Sequence, residues 1–160
     1  MVLDKRQQII NTAIKLFNEK GFSNVSIRDI SNEINISPGN LTYYFKQKSN
    51  IIKSIYEQMY NEFKDVLRFE FLNYQELDSK FEEVFIMQKK YFFIFSNIVV
   101  LSQIYSESCE YNRILSILFE ESFNSLINYY VSEGLMKPEP IEDIYKNLNK
   151  TYNVLFPLII

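Results

Sequence analysis

Only three glycines and four prolines punctuate the 160 residues of this chain. A fold of many short strands needs a tight turn every 8–12 residues or so, and most such turns draw on glycine or proline. So few breakers leave long uninterrupted segments, and in those segments apolar residues recur at spacings of three and four. Ile9, Ile10, Ala13, Ile14 and Phe17 form one such stripe, and Ile51, Ile52, Ile55, Tyr56, Met59, Phe63, Val66 and Leu67 form another. The expected fold class is all-α.

Composition narrows the chemistry further. The chain has no histidine and a single cysteine, Cys109. An internal disulfide is impossible, and zinc sites built from Cys and His are excluded. Histidine acid–base catalysis and Ser–His or Cys–His nucleophiles are excluded as well. We expect neither an enzyme nor a bound cofactor or metal. The opening MVLDKRQQII carries charge where a secretory signal would be apolar, and the most apolar run, YFFIFSNIVVL at 91–101, is too short to span a bilayer. A cytoplasmic protein without membrane partners is therefore expected. The lone Cys109 lacks basic neighbours and reads as inert, and Glu107 and Glu110 read as solvated acids.

Net charge is −3, but it is unevenly distributed: residues 1–50 carry +3 and residues 51–160 carry −6. Such asymmetry suggests a basic module joined to an acidic one. Within the basic part, local signals mark three helices. Asp4 caps a first helix over 4–20, which Lys20–Gly21 ends. Ser26 and Asp29 form a capping box for a second over 26–34. Asn35 and Ile36 make a tight turn, with asparagine tolerating left-handed geometry. Ser37 caps a third helix, Pro38 occupies its first turn, and it ends near Tyr44 or Phe45. Two short helices joined by a tight turn, after a longer first helix, make a helix-turn-helix.

Beyond it a long helix is expected from Ser49 or Asn50 to about Leu72, then helices over roughly 75–93, 95–107, 111–133 and 141–160. Gly134 ends the fourth of these, and KPEP at 137–140 is a rigid connector. The chain ends in VLFPLII, in the middle of an apolar stripe, which leads us to expect that a final helix lies beyond residue 160.

The segments IINTAIKLFNEKGF, VSIRDISNEINIS and PGNLTYYFKQKSNII follow one another without gaps and closely resemble the TetR/AcrR family of bacterial transcription regulators. The resemblance covers about the first third of the chain. It implies an N-terminal helix-turn-helix DNA-binding domain, residues 1–48, and a C-terminal helical ligand-binding and dimerisation bundle, residues 49–160, truncated at its end. It also implies a homodimer that binds a palindromic double-stranded DNA operator and is released by a small, hydrophobic effector. An activator is equally compatible. The family often has tyrosine where this chain has Thr42, and histidine or tyrosine at Tyr44. The rival reading is a helical interaction or small-molecule-binding module that has lost specific DNA binding.

On DNA, the third helix would enter the major groove with its N-terminus leading. Ser37, Pro38 and Gly39 open that helix, and Gly39 removes a side chain that would hold the backbone off the duplex. Asn40 would hydrogen-bond a base edge, most naturally adenine, and Thr42 and Tyr43 would meet phosphate or a thymine methyl. Tyr44 is the phosphate-facing ring, while Leu41 and Phe45 point inward. Lys48 matches the family's phosphate-binding lysine. Ser26 would meet a phosphate at a helix N-terminus, and Arg28 would meet a base, a phosphate or a neighbouring acid. Aromatic side chains number 21 after residue 50, and most should be core. The family resemblance makes Phe63, Tyr91, Phe95, Gln103, Tyr105, Phe119 and Phe123 candidates for an effector pocket. It places the dimer interface on helices 111–133 and 141–160.

Overall fold

The computed structural model describes residues 4–67 and 73–155. All regular structure among them is helical. The helices are α1 (Lys5–Lys20), α2 (Ile27–Glu33), α3 (Pro38–Tyr44), α4 (Lys48–Val66), α5 (Tyr74–Lys90), α6 (Phe92–Ser96), α7 (Ile98–Ile104), α8 (Ser108–Ser132) and α9 (Ile144–Leu155), with a 3-10 turn at Phe22–Asn24. None is long and apolar enough to cross a membrane.

The first three helices start where local capping dictates. Asp4 accepts from the Arg6 amide, Ser26 and Asp29 cap each other, and Ser37 accepts from the Asn40 amide. Gly21 leaves α1 at φ 81°, a conformation that glycine adopts without strain. Asn35 turns the chain between α2 and α3 at φ 54°, the left-handed geometry expected of it.

Two compact units divide the chain: Met1–Met59 with Lys90–Cys109, and Tyr60–Lys89 with Glu110–Ile160. In the first, Ile9, Ile10, Ala13, Ile14, Leu16 and Phe17 of α1 are buried, as are Ile30, Leu41, Phe45, Ile51, Ile52 and Ile55. Segment 90–105 closes this core, with Phe93 packing on Phe17 at 5.0 Å between ring centroids and Tyr105 on Tyr56 at 5.9 Å. The second unit buries Phe63, Leu67, Val84, Leu115 and Leu126. Phe63 packs on Phe119 at 5.6 Å, and the Asn149 carboxamide donates to the Glu120 carbonyl at 3.2 Å, tying α9 to α8.

Three expected boundaries are corrected. The helix expected over 75–93 ends at Lys90, because Asn18 of α1 intercepts it: its Nδ2 donates to the Lys90 carbonyl at 2.8 Å and its Oδ1 accepts from the Phe93 amide at 2.9 Å. The helix expected over 95–107 is two short helices. Asn97 breaks it at φ −129°, its side chain donating to the Phe93 carbonyl at 2.8 Å. The last helix begins at Ile144 rather than Ile141, since Asp143 adopts φ 63° and Glu139 accepts from the Asp143 and Tyr145 amides. Gly134 follows α8 at φ 70°, with the Leu135 amide returning to the Tyr130 carbonyl at 2.9 Å. The expectations for 68–72 and for the chain end at 156–160 fall outside the described residues.

Candidate nucleic-acid interface

The start of α3 is an exposed edge held from behind. Leu41 and Phe45 are buried, 0% and 1% exposed, and anchor the helix to the first unit's core. Ser37, Pro38, Gly39, Asn40, Thr42 and Tyr43 are exposed and Tyr44 is half-buried. Tyr43 is 84% exposed, an unusual position for a large ring. Its ring meets that of Tyr44 edge-on at 5.3 Å, so the two adjacent tyrosines brace each other.

Each hydrogen-bonding group there has a defined state. The Ser37 hydroxyl accepts from the Asn40 amide at 3.1 Å, and the Thr42 hydroxyl donates to the Gly39 carbonyl at 2.9 Å. Thr42 therefore offers its methyl group and lone pairs outward rather than a free donor. The Asn40 carboxamide makes no hydrogen bond among the described residues and keeps both donor and acceptor available. Gly39 is open: a Cβ built on it would meet only the Ser37 Oγ, at 3.9 Å.

At the start of α2 the chemistry is more committed. Ser26 Oγ accepts from the Asp29 amide at 3.2 Å and donates to Asp29 Oδ2 at 2.6 Å, and the Ser26 amide donates to the same oxygen at 2.7 Å. These bonds, the hydroxyl's first, hold the Asp29 carboxyl below the usual aspartate range and place a negative charge at that N-terminus. Arg28 is exposed and forms no ion pair among the described residues. Lys15 instead pairs with Glu33 at 2.8 Å, linking α1 to α2.

Lys48 is turned inward. Its ammonium donates to the Phe22 carbonyl and lies 3.8 Å from the Phe22 ring centroid. Sequence reasoning missed Arg6 entirely. Its Nη1 donates to the Tyr44 carbonyl at 3.4 Å, its Nη2 donates to Ser54 Oγ at 3.0 Å, and the guanidinium lies 4.4 Å over the Phe45 ring. Arg6 thus holds the C-terminal end of α3 against α4. Its partners lie 38 and 48 residues away in sequence, so no local pattern announces them.

The seven residues grouped as pocket candidates are distributed over both units. Tyr91, Phe95, Gln103 and Tyr105 belong to the first unit, and Phe63, Phe119 and Phe123 to the second. Tyr91 is buried with its hydroxyl accepting from Gln58 at 3.1 Å, while Gln103 is exposed. A cavity of about 330 Å³ in the first unit, lined by Gln47, Asn50, Lys53, Ile104 and Glu107 among others, includes only Tyr105 of the seven. A cavity of about 360 Å³ in the second unit, between α8, α9 and Pro138–Glu139, includes none. No group of three potential metal ligands occurs among the described residues.

A three-helix unit that offers the N-terminal edge of a short, core-anchored helix has the helix-turn-helix arrangement. Residues 9–55 match the family described as "Bacterial regulatory proteins, tetR family". It is 31% identical over 67 residues to the probable HTH-type transcriptional regulator YttP of Bacillus subtilis, covering 42% of this chain and 32% of that protein. It is 37% identical over 62 residues to the biofilm operon icaADBC HTH-type negative transcriptional regulator IcaR of Staphylococcus epidermidis, covering 39% and 34% respectively. The match therefore spans about a third of the length of these relatives. The crystal structure of a TetR-family transcriptional regulator from Marinobacter aquaeolei superposes with a TM-score of 0.89 at 23% identity, over 97% of this chain and 77% of that one, and so shares its fold.

Proposed function

We propose that this chain is a transcriptional regulator, and most simply a repressor, that reads double-stranded DNA with the exposed edge of α3. The observation that carries the reading is the combination of an 84%-exposed Tyr43 and the uncommitted Asn40 on a helix whose Leu41 is wholly buried. An anchored helix with a free polar edge is the arrangement that base readout requires. Asn40 reads a base edge, Gly39 permits close approach, and Ser37, Thr42, Tyr43 and Tyr44 line the backbone contacts, with Ser26 and Arg28 of α2 on the adjoining phosphates. The negative regulator named among the relatives favours repression.

Residues 1–48 carry this DNA-binding function and residues 49–160 the ligand response and dimerisation. A single short helix contacts few bases, so two copies reading an approximate palindrome supply the needed specificity. Ile117 of α8 and Ile144 and Leu148 of α9 are 39%, 40% and 59% exposed, apolar surface suited to a second copy. An effector would act through differential affinity for two states of that dimer. The aromatic candidates, among them the packed Phe63–Phe119 pair, suit a hydrophobic one.

Fluorescence anisotropy with labelled DNA from upstream of the chain's own gene, against a scrambled duplex across a salt series, tests the reading. Sequence-dependent binding that Asn40→Ala and Gly39→Ala weaken at least tenfold is expected. Neither substitution disturbs the free fold, since Asn40 is exposed and a methyl group at Gly39 meets only ordinary contacts. Equal affinity for both duplexes by a proven dimer would refute it.

A further inference from the structure

Gln88 lies near the end of α5 and is 1% exposed, yet neither its Oε1 nor its Nε2 has a hydrogen-bond partner among the described residues. The buried Asn149 of the same unit, by contrast, donates to the Glu120 carbonyl at 3.2 Å. A carboxamide taken out of water without a partner costs free energy at both its donor and its acceptor. Packing alone would be better served by an apolar side chain of the same length, such as methionine. The amide is therefore explained by a partner that the folded chain itself does not supply.

The helix that carries Gln88 indicates the shape of that partner. Phe81, Val84, Phe85 and Gln88 recur at spacings of three and four, so they form one stripe along α5. Burial along the stripe is uneven. Val84 is buried, while Phe81 and Phe85 are 45% and 47% exposed. The stripe thus passes from half-open aromatic surface to a closed polar end, all within the second unit. The exposed Lys89 sets its ammonium 4.7 Å from the Phe85 ring centroid, at the open part. A carboxamide presents a donor and an acceptor side by side. A primary amide or a lactam answers both at once. A carboxylate accepts from Nε2 but sets its second oxygen against Oε1. An apolar tail on the same molecule would cover Phe81 and Phe85 and remove their surface from water.

We propose that Gln88 is the recognition group of a ligand site in the second unit, and that this site takes a neutral amphiphile with an amide head and an apolar tail. The inference deepens the effector reading above and rests on it for any consequence at DNA, whereas binding of the ligand is measurable without DNA. Octanamide is the probe, and octanoate, of the same chain length, is its control. Isothermal titration calorimetry on the DNA-free protein reads both, in the wild type and in Gln88→Met and Phe85→Ala, each checked for an intact fold by circular dichroism.

The wild type should bind octanamide about tenfold more tightly than octanoate, because only the amide satisfies both atoms of Gln88. Gln88→Met should lose that preference. Phe85→Ala should weaken both probes by a similar factor and leave the preference intact. An unchanged preference in Gln88→Met would overturn the proposal, and so would a wild type that favours octanoate, the pattern of a head group held by Lys89. A wild type that binds no octanamide would overturn it as well; a Gln88→Met variant less stable than the wild type would then identify a buried water as the partner of the amide. Octanamide binding without selective DNA binding would leave this site standing and refute the regulatory reading. Selective DNA binding without octanamide binding would do the reverse.

Discussion

Asn18 is the side chain whose removal should most clearly expose how the first unit is assembled. From α1 it reaches both sides of the α5–α6 junction, donating to the Lys90 carbonyl at 2.8 Å and accepting from the Phe93 amide at 2.9 Å. Both bonds are part-buried, so an unpaired partner is not freely resolvated. At about 1 kcal/mol net for each bond, Asn18→Ala should destabilise the protein by about 2 kcal/mol. Asn18→Asp separates the two bonds. Its carboxylate can still accept from the Phe93 amide but cannot donate to the Lys90 carbonyl, and it sets two oxygens against each other. It should be no better than alanine despite its matching shape. Urea unfolding followed by far-ultraviolet circular dichroism and by tyrosine fluorescence provides the assay, since the chain has twelve tyrosines and no tryptophan. With a urea m value of roughly 2 kcal/mol/M, the midpoint should fall by about 1 M. A fall below about 0.3 M for alanine, or a wild-type midpoint for aspartate, would refute the view that this carboxamide holds the junction.

Other substitutions probe single features. Gln88 is 1% exposed and neither atom of its carboxamide has a partner among the described residues, so Gln88→Met, of similar shape, should stabilise the protein by about 1–2 kcal/mol; a loss of stability in thermal unfolding would show the amide to be satisfied in solution. At Asn35, with φ 54°, Asn35→Ala should cost about 1 kcal/mol while Asn35→Gly stays within about 0.5 kcal/mol of wild type, and equal effects would argue against a left-handed turn. The Asp29 carboxyl is held low first by the Ser26 hydroxyl and then by the Ser26 amide. Its folded pKa lies below its unfolded one, so its stabilisation is complete above the unfolded value and is lost as pH falls through the folded value. Ser26→Ala should move the Asp29 titration, followed by carboxyl NMR, upward toward the ordinary range; an unmoved titration would rule out the hydroxyl as its main cause.

The boundaries of α1, α2 and α3 were legible in the sequence because their determinants are local. Asp4, Ser26 with Asp29, Ser37 with Pro38, and Gly21 each act within a few residues of the end they define. The exposed edge of α3 was legible for the same reason, since Leu41 and Phe45 occupy the inward positions of a helix whose start was already known. The break at Asn97 was not, because the apolar run around it is continuous and only the side-chain bond to Phe93 shows that the helix stops there. The end of α5 depends on Asn18, more than seventy residues earlier. The direction of Lys48 depends on a backbone carbonyl 26 residues away, and a backbone group leaves no trace in residue type. The aromatic rings show the same limit, since which ring meets which, as Phe63 meets Phe119, is set by tertiary packing.

The Asn18 and Phe17 contacts with segment 90–93 bear on how the first unit could be transplanted. A hybrid that transplants only the first 48 residues onto another body would separate Phe17 from Phe93 and leave the Asn18 carboxamide facing a foreign backbone. The transferable piece is discontinuous, two stretches of chain that must travel together. Hybrids that exchange both should fold, whereas a cut at a single point should yield proteins that fold poorly.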